Sequence, residues 1–252
     1  MIRQLFRYEG HVFYVTDNAA NMRKAFRNLD WTGCAAHSLS LAVKDVLQQE
    51  ELKALLSTAK TAVRVCKKTG VSSELSSTVK QTCPTRWNTE LTMLASLQNV
   101  YDELADVHWP EIEEFLRNWT ADLLQEVIDV LKFFGDATQQ LEGDGETAQL
   151  VAVMRQMATK QLVESPDDRQ IIRKLKRDLL AKLGEKITVT DRHLVTTMLV
   201  PKYRHLQQFE FVSDSRRAAA RRKLVELAAD EVVLSSSAAS RPAAPSKAIH
   251  RR

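Results

Sequence analysis

His11-Val12-Phe13-Tyr14-Val15-Thr16-Asp17-Asn18-Ala19-Ala20-Asn21 is the stretch that decides the fold. It is rich in β-branched and aromatic residues up to Thr16 and then turns polar, which predicts a short strand with Asp17 at its carboxyl end. Met22, Ala25, Phe26 and Leu29 follow at helical spacing. Strand, acidic tip and helix in succession are the order found in α/β folds, and in open α/β sheets ligands bind at that carboxyl edge.

Outward from this unit the pattern is helical. Trp31-Thr32-Gly33-Cys34 is a second short element, and helical spacing then runs from about His37 to Lys68. Leu52, Leu55, Leu56, Ala59, Val63 and Cys66 form one continuous face, so Cys66 is expected in the core. Gly70 closes this helix, and Val71 to Pro84 is Ser/Thr-rich and predicted irregular. Leu91, Leu94, Ala95, Leu97 and Val100 restore helical spacing after Thr85-Arg86-Trp87-Asn88. Further helices are predicted over Thr120–Leu141, Thr147–Val163, Asp168–Leu183 and Asp214–Leu234, with a turn at 142–146 and Thr190–Met198 leading into Leu199–Tyr203. The tail Ser235–Arg252, made largely of Ser, Ala, Pro and basic residues, has little to bury and is expected to be disordered.

Composition bounds the reading. The chain has 252 residues, one large or two ordinary domains at roughly 100–200 residues each. Only 7 Gly and 6 Pro argue against an all-β fold, which needs turn residues every few positions. No apolar run reaches the roughly 18 residues of a membrane span, and no signal-peptide pattern opens the chain, so a soluble intracellular protein is expected. Cys34, Cys66 and Cys83 are too few and too odd for a disulfide framework and read as reduced thiols.

Charge is segregated. Residues 1–168 carry 17 Lys/Arg against 24 Asp/Glu (−7) and residues 169–252 carry 19 against 8 (+11), together the net +4. A basic C-terminal third suits a polyanion such as nucleic acid. Arg216, Arg217, Arg221, Arg222 and Lys223 form one dense stretch and are candidate DNA contacts. A solvated helix face or a nuclear-import signal accounts for the same pattern.

Four stretches in order carry a resemblance. Val15 to Ala25 is similar to a strand–TDNAxNMxKA–helix segment, Cys34-Ala35-Ala36-His37-Ser38-Leu39-Ser40-Leu41-Ala42-Val43 to a CxxHxLxLxV element, and Thr85-Arg86-Trp87-Asn88-Thr89 to a TRWNS segment. Leu199-Val200-Pro201-Lys202-Tyr203-Arg204 is a weaker match to LDPRYK, with Val200 and Lys202 departing from it, and Phe133, Phe134 and Thr138 match a helical middle region softly. Together they resemble the hAT family of DNA transposases and the zinc-finger BED domain-containing proteins related to them, over about residues 1–210. The resemblance implies a ribonuclease H-like catalytic fold in which two Asp and one Glu hold two divalent ions. Hard Mg²⁺ takes oxygen ligands, and two ions clamp the attacking and leaving oxygens of a phosphodiester.

By its motif Asp17 resembles the second of those acids and is the candidate catalytic and metal residue. The first acid is expected on an earlier strand, yet only Glu9 precedes Asp17. The third is expected in a C-terminal dimerisation helix, where no Glu-Arg-x-Phe-Ser-like segment is visible, and no BED finger precedes the unit. One carboxylate cannot assemble a two-metal site, so catalysis by this chain alone is not expected. No cofactor is implied for it, with Mg²⁺ implied only for an intact relative.

Simpler readings stand beside these. Asp17 is also a good helix cap. Cys34 and His37 are implied neighbours of the active site, and at i, i+3 they supply only half of a zinc ligand set. Arg86 and Trp87 suit a phosphate contact and a stacked base, while a buried Trp anchoring a helix start fits Trp87 equally. Trp31, Trp109 and Trp119 carry no motif and are expected to be core or helix-packing residues.

The resulting expectation is an α/β, mostly helical fold: a partial ribonuclease H-like domain over 1–100, a helical region over 101–212, a basic helix over 213–234 and the tail 235–252. The expected function is that of a domesticated or truncated transposase-like protein, nuclear, DNA- or chromatin-binding and regulatory, without transposition activity. An incomplete form of an active metal-dependent transposase and a helical protein-interaction module are the alternatives. DNA is the expected partner, oligomerisation is open, and no membrane is involved.

Overall fold

The computed structural model describes residues 14–143 and 147–239, with side chains as far as residue 229. His11 to Phe13, Glu9 and the tail beyond Ala239 lie outside the described residues. The chain divides into two compact units. The first runs through Thr147 and takes up Met154–Thr188 again; the second comprises Ala148–Val153 and the residues from Val189 onward.

The first unit begins as its sequence predicts. Strand β1 (Tyr14–Thr16) leads through helix α1 (Ala20–Phe26) to strand β2 (Trp31–Gly33), and the strands pair in parallel with Tyr14 opposite Trp31 and Thr16 opposite Gly33. Parallel strands cannot be joined by a tight hairpin, which is why a helix lies between them. Tyr14 packs on Phe26 with ring centroids 5.0 Å apart, and the Trp31 indole donates to Thr16 Oγ1 at 2.7 Å. The sheet has two strands among the described residues, so the observed fold is mostly helical with a small parallel sheet.

Helix α2 (Ala35–Leu47) organises the helical part of the first unit. Ala36, Leu39, Ala42, Val43, Val46 and Leu47 recur at helical spacing and are all buried. They pack against α7 (Ala121–Leu141) and α9 (Gln170–Lys186). The continuous helix expected from His37 to Lys68 is two helices, because Gln49 turns extended (ψ 145°) and α3 (Glu50–Lys68) starts afresh with Glu50 and Glu51 in its first turn. Acidic residues there complement the amino end of the helix dipole. Leu52, Leu56, Ala59, Val63 and Cys66 are buried as expected, Leu55 partly, and burial pushes the Cys66 thiol up. Gly70 takes the left-handed conformation (φ 81°) just past the helix, where a side chain would be strained.

Helix α4 (Asn88–Gln98) packs on α7, and α6 (Pro110–Asn118) packs on α3 beside the short α5 (Tyr101–Ala105). The last two were not expected from spacing. Trp119 follows α6, fully buried, with its indole N–H donating to Leu55 O at 3.0 Å and its own carbonyl accepting from the Tyr101 hydroxyl at 2.6 Å. Trp31 is half-buried, whereas Trp109, expected to pack in the core or between helices, is 43% exposed. Trp109 is the residue before α6 and precedes Pro110, which fixes an extended backbone there and turns the indole outward. Helix α8 (Ala148–Gln161) is divided between the two units.

In the second unit α10 (Asp191–Met198) is capped by Thr190, whose hydroxyl accepts from His193 N while His193 Nδ1 accepts from Thr190 N. It packs on α11 (Asp214–Ala239), which continues beyond the expected end at Leu234. Arg217 of α11 donates to Leu206 O and Phe209 O, both at 3.2 Å, and holds a loop in which Leu206 has a positive φ of 54°.

Trp119→Ala should lower the stability of the chain by about 3–5 kcal/mol, read as a shift of the urea midpoint. Val225→Ala, on a side chain 69% exposed, should leave it within about 0.5 kcal/mol.

Candidate functional site

The carboxyl edge of the two strands gathers the first two sequence motifs. Asp17 is exposed at the end of β1, and its Oδ1 accepts from Ala19 N at 3.1 Å. The residue capping α1 is Ala19, which makes no side-chain cap bond, so Asp17 closes an Asx turn ahead of the helix. Asn18 donates from Nδ2 to Ser38 Oγ at 2.6 Å and lies flat on Gly33, where an added Cβ would stand 1.8 Å from Asn18 Oδ1. Cys34 is the residue preceding α2 and is half-buried; its backbone N–H continues the strand pairing by donating to Thr16 O at 2.6 Å. His37, in the first turn of α2, is exposed.

Among the described residues no three His, Cys, Asp or Glu side chains come together in a way that could hold a metal ion. Neither a Cys34–His37 zinc site nor a two-metal carboxylate centre around Asp17 has its donor set there.

The third motif meets the second across a cleft of about 560 Å³. His37, Ser40 and Lys44 of α2 line one side, Thr85, Arg86, Trp87 and Asn88 the other, with Thr138 and Glu142 from the end of α7. A turn shapes the second wall: Arg86 N donates to Cys83 O at 3.1 Å, and the Thr89 hydroxyl accepts from Cys83 N at 2.8 Å and donates to Arg86 O at 2.7 Å. Lys44 Nζ reaches Pro84 O at 3.4 Å, tying the walls together. The Arg86 side chain is exposed and has no ion pair or hydrogen bond among the described residues. Trp87 is 5% exposed, the arrangement of a residue anchoring the start of α4. Beyond it lies a second cavity of about 410 Å³, lined also by Lys44 and by the ion pair of Lys60 with the buried Glu90 at 3.0 Å.

Cys83, beside the cleft, had no role in the sequence reading. It is exposed, and its thiol is held below the ordinary value chiefly by Thr85, through its hydroxyl 3.2 Å away and its backbone, and less by Arg86.

The basic C-terminal third is far less available than its sequence suggests. At least nine of its cations are ion-paired: Arg169 with Asp122 and Glu126, Lys174 with Glu51, Lys176 with Asp168, Arg177 with Glu164, Lys182 with Glu185, Lys186 with Asp45, Arg216 with Asp191, Arg217 with Asp214 and Lys223 with Glu226. Arg216 also donates to Val189 O at 2.7 Å. Arg221 and Arg222 are exposed, with Arg221 3.5 Å from His205 Nδ1.

No protein-family model matches the chain. The chain is similar to the transposable element Hobo transposase of Drosophila melanogaster, 29% identical over 139 residues that make up 52% of this chain and 20% of that protein. It thus spans about a fifth of that relative's length, and the likeness supports a transposase-like relation. No described helix is long and apolar enough to cross a membrane.

Gly33→Ala should displace Asn18 and cost about 1–3 kcal/mol. In an Asn18→Ala background the same substitution should cost much less, a coupling read from a denaturation double-mutant cycle. Alkylation of Cys83 by iodoacetamide should reach its plateau at a lower pH than a free cysteine in a model peptide, because thiolate is the reactive form. Thr85→Val should move that profile to higher pH.

Proposed function

We propose that this chain is transposase-derived and acts in the nucleus as a DNA- or chromatin-associated regulatory protein, with its cleft taking a DNA phosphate. The observation that carries this reading is the meeting of separate motifs at one polar cleft. Asn18 holds the first motif to the second, and His37 and Lys44 of the second face Thr85, Arg86 and Asn88 of the third. The partial likeness to Hobo transposase agrees with it.

Arg86 brings a planar fork of N–H donors suited to a phosphate, and Lys44 adds a second cation on the opposite wall. The hydroxyls of Ser40, Thr85 and Thr138 and the Asn88 amide are further groups able to bond phosphate oxygens and sugar. Such contacts orient a strand without reading its sequence, so the binding would be tolerant of sequence and strongly salt-dependent. No group of three metal-ligating side chains gathers among the described residues, and regulation by binding, without strand transfer, is the role proposed for them. The ribonuclease H-like relationship of the β1–α1–β2 unit belongs to the same proposal.

Fluorescence anisotropy with a labelled duplex tests it. Binding should weaken steeply as salt rises, and Arg86→Ala and Lys44→Ala should each reduce the slope of log K against log salt by about 0.9 while weakening unrelated duplexes equally. A wild-type chain without affinity for DNA at low salt would overturn the reading.

A further inference from the structure

We infer that the outer face of α1 with its C-terminal cap, formed by Arg23, Lys24 and Arg27, is a docking surface for the phosphate backbone of duplex DNA, separate from the cleft. The inference rests on the DNA-binding reading above and assigns a surface that the charge distribution along the sequence does not single out.

Three observations converge. Met22 and Phe26 are the half-buried side of α1, with Phe26 against Tyr14 of the sheet, whereas Arg23, Lys24 and Arg27 are exposed. Positions 23 and 27, and 24 and 27, are neighbours on a helix surface, so the three cations form one cluster on the side away from the sheet. None of them makes an ion pair or hydrogen bond through its side chain among the described residues, in contrast to the ion-paired cations of α9. The helix itself carries no acid, since no Asp or Glu occurs between Asp17 and Asp30.

Like charges at these spacings oppose helix formation, and α1 has no buried residue to offset them. The carboxyl end of a helix does favour cations, but one suffices for that and three are present. A polyanion removes the mutual repulsion. Arg23 and Arg27 are separated by about 6 Å along the helix axis, close to the rise of about 7 Å over two phosphates of one strand. Because Asn18 is bonded to Ser38 in the first turn of α2, the helix carrying the cluster springs from the same edge that carries His37 of the cleft. A duplex lying over that edge would meet both.

The test compares the wild-type full chain, the triple variant R23Q/K24Q/R27Q, the three single variants and R221Q/R222Q on α11, by anisotropy with a 20-base-pair duplex over a salt series. The triple variant should lose about tenfold or more in affinity near 0.1 M salt and reduce the salt slope by about 2.7, and each single variant by about 0.9. Far-UV circular dichroism should be little changed, since α1 is short and buries nothing. R23K/R27K should keep the wild-type slope, which a merely helix-stabilising role for arginine would not require. Wild-type binding with a slope unchanged in the triple variant would overturn this inference alone and leave the cleft reading standing. A slope lost in R221Q/R222Q but kept in the triple variant would place the contact on α11 instead and overturn it too. Failure of the wild type to bind would overturn both readings.

Discussion

The contact of Asn18 with Gly33 and Ser38 is the constraint on which the site depends. Among the described residues, two three-residue strands and a seven-residue helix that buries nothing do not make an independent core, and a two-stranded element is marginal without packing against something larger. Asn18 supplies the link by reaching from the turn after β1 to the hydroxyl of Ser38, itself buried in the first turn of α2. The reach is possible only because residue 33 has no Cβ. Since α2 is in turn fixed by its buried face against α7 and α9, the position of the strand edge, Asp17 included, is inherited from the helical core.

That dependence explains which parts could be read from the sequence. Helices with a wide apolar stripe were legible: the face from Leu52 to Cys66, the helix from Thr120, and Gly70 at the helix end all rest on local rules. The break at Gln49 was not, because the apolar period passes through it and only backbone conformation marks it. Helices α5 and α6 were missed for the opposite reason. Each is short, and α6 places only Ile112 and Phe115 in the core. Trp109 was misplaced because aromatic character says nothing about direction, and here the extended backbone before Pro110 sets direction.

The sequence offers candidate residues but not their geometry. Asp17, Cys34, His37, Arg86 and Trp87 could each be picked out, yet nothing in their spacing shows that His37 and Arg86 line one cleft or that Trp87 is closed off from solvent. Cys83 gave no signal at all, since its lowered thiol comes from Thr85 and Arg86 in a turn that only the fold creates. Charge was the most misleading guide. The sum over residues 169–252 is sound, but Glu51, Asp45, Asp122 and Glu126, acids from the earlier part of the chain, return in space to meet Lys174, Lys186 and Arg169. Segregation along a sequence does not imply segregation on a surface.

The paired and unpaired cations also differ in what they can do energetically. An exposed pair such as Lys174–Glu51 contributes little to folding, but the acid beside the base opposes an incoming phosphate. An unpaired cation such as Arg86 offers its whole field to a ligand. Lys60–Glu90 lies at the other limit: with Glu90 buried, removing either partner leaves an uncompensated charge or an unmet desolvation cost. That pair lines the second cavity beside Trp87, while Arg86 lines the cleft that Trp87 also borders. A phosphate contact gains most when the donor is free and its support does not have to be ordered at the moment of binding.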